Sequence, residues 1–145
     1  MKIYPTANKR AFMPLLLLAD EQPEMIEKYL DAGTMYVLDD GGIKAEIVTV
    51  GNGDTLEIKN LAVLPQFRNR GYGRALIRFT EAEYRGKYTV LTVGTGDSPL
   101  TVPFYEKCGF VRSHSVKNFF IDNYDHEIYE GGVKLVDMVY LSKKI

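Results

Sequence analysis

Glu57-Ile58-Lys59-Asn60-Leu61-Ala62-Val63-Leu64-Pro65, followed by Arg68-Asn69-Arg70-Gly71-Tyr72-Gly73-Arg74-Ala75-Leu76, decides how this chain folds. Residues 55–64 read as a strand, ended by Pro65, which cannot donate to a ladder. Then the period changes. Tyr72, Ala75, Leu76 and Phe79 follow the i, i+3, i+4, i+7 spacing of an amphipathic helix that begins near Gly71, and Gly86 can end it. A helix opening directly from a loop leaves its first amide N–H groups unpaired, with the positive end of the helix dipole behind them. Residues 58–80 contain no acidic side chain and five basic ones, Lys59, Arg68, Arg70, Arg74 and Arg78. That window carries +5 in a chain of net charge −1, so the remainder carries −6. A basic island in an otherwise acidic chain suits an anion site. Glycines let backbone approach a phosphate, arginines add charge-assisted contacts, and the spacing suits a pyrophosphate. A P-loop is excluded, because no Gly-Lys-Ser/Thr follows. A dinucleotide fingerprint fits poorly, because the third glycine is missing and the preceding chain is a meander. The plain alternative is an ordinary exposed turn decorated with glycine and arginine.

Upstream, residues 34–38 and 43–50 read as strands. The turns Asp39-Asp40-Gly41-Gly42 and Gly51-Asn52-Gly53-Asp54 make an antiparallel meander. Before it, residues 1–4 can form a first strand. Asn8 can cap a helix to about residue 18, kinked at Pro14, and Pro23 and Glu24 open a second helix with Gly33 at its C′ position. Met25, Ile26, Tyr29 and Leu30 share one helical face. Downstream come a buried strand at 88–93, a loop at 94–97, and a short helix at about 100–108 with Gly109 at C′. Final strands follow at 110–116 and 133–141. The order is α+β.

Composition agrees with a single domain spanning 1–145. With 145 residues, 46% hydrophobic and 26% charged, the chain is neither disordered, collagen-like nor a disulfide scaffold. A net charge of −1 argues against a nucleic-acid or anionic-membrane binder. The apolar run at 11–19 is too short to span a bilayer, which takes about 18 residues or more, and no cleavage site follows it. It reads as a core helix, and the protein as cytoplasmic. The lone Cys108 fits a reducing compartment. No histidine neighbours it and Lys107 is only adjacent in sequence, so nothing marks an activated thiolate, and a structural buried cysteine is the better reading. His114 and His126 make no metal site with it.

The opening stretch, the spacing Arg68-x-x-Gly71-x-Gly73, and Phe104-Tyr105-Glu106-Lys107-Cys108-Gly109-Phe110 together resemble the GNAT (Gcn5-related N-acetyltransferase) family over residues 54–112. The tail, Asn118-Phe119-Phe120-Ile121-Asp122-Asn123-Tyr124 with Asp137-Met138-Val139-Tyr140-Leu141, looks like a bacterial subgroup of it. The resemblance implies an α/β/α-layered α+β fold. Its mixed, mostly antiparallel sheet is flanked by helices and splayed between the fourth and fifth strands. It implies acetyl transfer from acetyl-CoA, without a metal, to a primary amine of a small molecule, peptide or protein. A catalytically silent CoA-sensing or regulatory module is the alternative. Arg68, Asn69, Arg70, Gly71, Tyr72, Gly73 and Arg74 would wrap the pyrophosphate. The main chain of Leu61, Ala62 and Val63 would pair with the pantetheine arm, and an N–H there, that of Leu61, could serve as oxyanion donor. Tyr105 matches the tyrosine facing the cofactor sulfur, where it can donate a proton, and its ring can equally pack in a core. Glu57 matches the fourth-strand position where some members place a general base, and is equally a candidate salt-bridge partner. Ser98 stands where the family often has an asparagine touching the pantetheine. Dimers are common in the family. The acidic and aromatic segment 119–132 suits either a cationic acceptor or a surface loop with its aromatics folded onto the sheet.

Overall fold

A computed structural model describes residues 1–145, which divide into two compact units, 1–89 and 90–145. The first carries β1 (Lys2–Thr6), α1 (Met13–Ala19), α2 (Pro23–Glu27), β2 (Thr34–Asp39), β3 (Ile43–Asn52), β4 (Thr55–Val63) and α3 (Tyr72–Tyr84). Its strands run β1-β2-β3-β4, each antiparallel to the next. This is the meander that the turn residues predict. Gly41, Gly42 and Gly53 adopt positive φ at the two hairpin turns, a region costly for side-chain-bearing residues.

Period-2 alternation sorts the four strands onto two faces. Met35 and Val37 of β2 and Val48 of β3 pack with Leu16 of α1 and with Ile26 and Leu30 from the α2 region, all six fully buried. Each such aliphatic side chain stabilises the fold by about 1.5–3 kcal/mol. The opposite face meets α3, where Tyr36 and Phe79 stand edge to face with ring centroids 4.9 Å apart. β4 carries a bulge: Val48 pairs with Asn60 but Thr49 with Ile58, so Lys59 is the extra residue.

Two helix expectations are corrected. The first helix is not one kinked rod. A 3-10 turn at Lys9–Phe12 gives way to α1, and Pro14 sits in the first turn of α1. Proline lacks the N–H that a helix interior needs but is compatible with its first turn, so it starts a new helix rather than bending an old one. The second helix ends at Glu27, and residues 28–33 leave it in turns. Gly33 is not a left-handed C′ residue. A Cβ there would meet Val48 Cγ1 at 2.6 Å, so close packing on β3 is what calls for glycine.

The second unit carries β5 (Val90–Gly96), α4 (Val102–Lys107), β6 (Val111–Val116), α5 (Phe119–Asn123), β7 (Tyr129–Glu130), β8 (Val133–Lys134) and β9 (Met138–Lys144). β9 lies between β5 and β6, antiparallel to both, and β7 and β8 form a separate small hairpin. The strand expected at 88–93 is shifted to 90–96, and Gly94 and Gly96 belong to it rather than to a loop. A Cβ on Gly94 would meet Met138 Sδ at 2.7 Å, and one on Gly96 would meet Leu135 at 2.5 Å. These glycines admit neighbouring side chains across the strand. The strand expected at 133–141 is broken into β8 and β9, and Leu135 between them turns into a cluster with Phe120 and Ile128. No helix is long and apolar enough to cross a membrane.

Candidate active site

The loop between β4 and α3 is built as its residue types require. Asn69 at φ 63° and Gly71 at φ 86° take left-handed conformations that turn the chain into α3. Ala75 N–H is the first to close back into the helix, on the Gly71 carbonyl at 2.9 Å. The amides of Tyr72, Gly73 and Arg74 therefore stand at the open, electropositive end. Arg68, Asn69, Arg70, Gly71 and Arg74 are exposed, Tyr72 is half-buried and Gly73 buried. A Cβ on Gly71 would meet nothing within 4 Å, so the space beside the loop is open. Tyr72 Oη donates to Asp40 Oδ2 at 2.6 Å, tying the helix start to the β2–β3 turn. That hydrogen bond pushes the Tyr72 phenol upward from its ordinary value. Lys44 Nζ and the Arg70 guanidinium both lie over the Phe67 ring, 4.1 and 5.2 Å from its centroid. An anion meeting this mouth finds amide dipoles and arginines together, the chemistry of a phosphate cradle.

Strand register locates the β4 candidates. Leu61 pairs with Ile47, which pairs with Tyr36, so Leu61 is on the α3 face. Ala62 pairs with Glu46 and Asn60 with Val48, on the face covered by α1 and α2. Val63 ends the strand opposite Ala45. Glu57 pairs with Val50, so the bulge brings Glu57 to the same face as Asn60 and Ala62. Its carboxylate is held by Lys59, Oε2 to Nζ 3.1 Å, and is only partly exposed.

In the second unit, Tyr105 is buried in α4. Its ring stands edge-on to Phe104 and Phe110, at centroid distances of 5.1 and 5.5 Å. Ser98 is buried just before that helix. Its Oγ donates to Glu130 Oε1 at 2.5 Å and accepts from Leu100 N–H at 3.3 Å. Glu130 belongs to the acidic segment, which is therefore clamped against the loop before α4. Within that segment Phe119 and Tyr124 pack with Phe120, while Tyr129 is exposed and donates to Glu127 at 2.7 Å. Cys108 is half-buried. The His114 ring stacks flat on Tyr140 at 4.6 Å, and His126 pairs with Asp125.

One group escaped the sequence reading. Glu46, mid-strand in β3, is 0% exposed, and neither carboxyl oxygen has a hydrogen-bond partner. The signal was available: in Glu46-Ile47-Val48-Thr49-Val50 the glutamate alternates onto the apolar side with Val48 and Val50. Burial pushes its carboxyl well above the ordinary carboxylic range, so the folded state holds a proton there that the unfolded chain releases. Stability contributed by that proton is complete below the unfolded value of 4.5 and falls as pH rises toward the raised value. Glu46→Gln, which keeps the shape without the charge, should leave stability near pH 4.5 almost unchanged. Above that, its advantage over the unsubstituted chain should widen by about 1.4 kcal/mol per pH unit until the raised value is reached. Urea denaturation across the range reads this directly, and parallel pH curves would refute it.

Three comparisons bear on this arrangement. Residues 31–112 match a family model described as an acetyltransferase (GNAT) domain. A curated relative from Bacillus subtilis strain 168, described as the uncharacterized N-acetyltransferase YvbK, is 33% identical over 132 residues, covering 88% of this chain and 84% of the relative. The crystal structure of a GNAT family acetyltransferase from Elizabethkingia anophelis with acetyl-CoA bound is 36% identical, with a TM-score of 0.92 over 99% of this chain and 97% of that one. An IAA acetyltransferase from Bacillus cereus ATCC 14579 is 31% identical, with a TM-score of 0.93 over 99% of each chain. The fold class is thus a mixed, mostly antiparallel sheet flanked by helices, as these neighbours have it.

Proposed function

Because the chain belongs to the GNAT acetyltransferase family, we propose that it moves the acetyl group of acetyl-CoA directly onto a primary amine of a small molecule or peptide. It is an acetyl-CoA-dependent N-acetyltransferase, with acetyl-CoA as co-substrate. The observation that carries the reading is the loop at 68–74, where a left-handed Gly71 opens α3 with its first amides and three arginines around one mouth. In our reading that mouth holds the pyrophosphate, mostly through backbone N–H groups. The main chain of Leu61, Ala62 and Val63 pairs with the pantetheine, and an amide there donates to the developing oxyanion. Tyr105 meets the sulfur, and Glu57 takes a proton from the amine. The Glu57 carboxylate is paired with Lys59 at 3.1 Å, so as a base it would have to exchange that partner for the amine. Ser98 is engaged with Glu130, which makes it a weaker pantetheine contact than an asparagine in its place.

The family match crosses both compact units, which supports reading residues 1–145 as one catalytic domain. The single cysteine supports a cytoplasmic location. β6, all six residues exposed and paired only to β9, leaves an open strand edge that supports a homodimer.

The deciding experiment is a mass-spectrometric screen of primary amines with acetyl-CoA, spanning polyamines, amino acids, aminoglycosides and peptide N-termini. The expected result is a 42-Da gain (about one acetyl group) on one class of amine, with release of free CoA thiol. Tight CoA binding with no acetylated product across the panel would instead assign the chain as a silent CoA-binding module.

A further inference from the structure

Tyr105 sits in a helix too short to hold itself. α4 has 6 residues, fewer than two turns, and a helix of that length does not form on its own hydrogen bonds. Its direction is set by what grips its two ends. At the start, Thr101 Oγ1 donates to the Gly96 carbonyl at the end of β5, at 3.1 Å. At the other end the chain leaves through a glycine-ended stop. Gly109 N–H donates to the Glu106 carbonyl at 3.0 Å and Phe110 N–H to the Tyr105 carbonyl at 3.1 Å, with Gly109 at φ 96°. The Phe110 ring stands edge-on to the Tyr105 ring, the apolar contact that accompanies such a stop. Tyr105 is therefore tied to Phe110 by main chain and by ring.

Those two bonds do not use the Cys108 carbonyl, which lies at the negative end of α4. Lys143 does. Its Nζ donates to that carbonyl at 2.8 Å and lies 5.8 Å from the centroid of the Phe110 ring. A Cβ on Gly109 would meet the same Nζ at 3.0 Å. One ammonium thus touches the capping carbonyl, the glycine that turns the chain, and the ring that packs on Tyr105. Strand alternation brings it there. Lys143 shares a face of β9 with Val139 and Leu141, both buried, and its own partner on β5 is the buried Leu91.

We propose that Lys143 is the positioning residue for Tyr105. Its ammonium closes the C-terminal cap of α4 and so fixes where the Tyr105 ring and hydroxyl stand. A cation is the suitable donor, because it meets the helix dipole as well as the carbonyl. Without it the last turn frays, and Tyr105, whose carbonyl belongs to that turn, moves with it. The proposal rests on the reading of Tyr105 at the cofactor sulfur for its effect on turnover, and on the cap geometry for its place.

The test uses the full chain carrying tyrosine labelled with 13C at Cζ. Tyr105→Phe identifies the Tyr105 resonance by deleting it. Lys143→Met, which keeps an unbranched side chain and removes the donors, should displace that resonance. Lys143→Arg, which supplies a cationic donor again, should return it. For an amine found acetylated in the screen, Lys143→Met should lower kcat about five- to tenfold with the amine KM changed less than twofold, and Lys143→Arg should recover most of the loss. In the Tyr105→Phe background the same substitution should lower kcat less than twofold, since the hydroxyl it positions is gone. If Lys143→Met does not fold, Lys143→Gln, which keeps N–H donors and drops the charge, carries the same comparison with a smaller displacement. A Tyr105 resonance that stays in place in the folded variant overturns the proposal. So does an equal fall in kcat with and without the Tyr105 hydroxyl, which marks a purely structural lysine. A displaced resonance with a kcat indifferent to Tyr105→Phe keeps Lys143 as the residue that places Tyr105 and rejects Tyr105 as the group at the sulfur instead.

Discussion

Gly71→Val should reduce acetyl-CoA affinity by at least a hundredfold while the protein remains folded. Gly71 holds φ 86° with nothing within 4 Å of a Cβ, so the substitution causes no clash. The penalty is conformational. A β-branched residue in the left-handed region costs on the order of 1–3 kcal/mol, and the loop relieves that strain by rotating back toward ordinary φ. Rotation at Gly71 re-aims the amides of Tyr72 and Gly73, which follow it directly. Each hydrogen bond to a charged phosphate contributes about 1.5–3 kcal/mol, so two lost bonds account for the hundredfold change. Gly53→Val is the matched control. Gly53 also has a positive φ, 62°, and open surroundings, but it sits in the β3–β4 turn. It should cost similar stability and leave affinity within twofold. Calorimetric titration with acetyl-CoA decides between them, and equal affinities for both variants would remove the loop from the cofactor site.

Tyr105→Phe should lower kcat about ten- to a hundredfold, with acetyl-CoA affinity unchanged within twofold. The replacement keeps the ring that packs edge-on to Phe104 and Phe110 and removes only the hydroxyl. The size of the effect is bounded by the leaving group. A thiol has an ordinary pKa of about 8.5 and a phenol about 10, so thiolate departs with modest assistance, and the loss belongs at the low end of general-acid effects. Steady-state kinetics on an acetylated amine, with thiol release as the signal, measures it. An unchanged kcat would make Tyr105 a packing residue of the second unit and nothing more.

Much of the loop's local structure was legible before any coordinates, because it depends on near neighbours in the chain. The strand ending at Pro65, the glycines at 71 and 73, and the helical spacing of Tyr72, Ala75, Leu76 and Phe79 are local signals, and the structure has α3 starting at Tyr72. Gly109 likewise ends α4 at a positive φ of 96°. Gly94 and Gly96 misled the reading because glycine is ambiguous in a single chain. It serves a turn that needs positive φ and equally a strand that needs room, and only Met138 and Leu135, about forty residues away in the chain, show which applies.

Glu57 shows the limit most clearly. Simple alternation along β4 puts it with Leu61 and Val63, away from Asn60 and Ala62. One extra residue at Lys59 reverses that parity and brings Glu57 to the face that also holds Glu46. Residue order alone settled the motif, its charge and the elements on either side, since those rest on φ preferences and spacing within a few residues. Which side chains share a face, and which buried polar groups are left without partners, was decided by strand register. Register is a property of pairing between distant segments, and a single bulge resets it for every residue beyond.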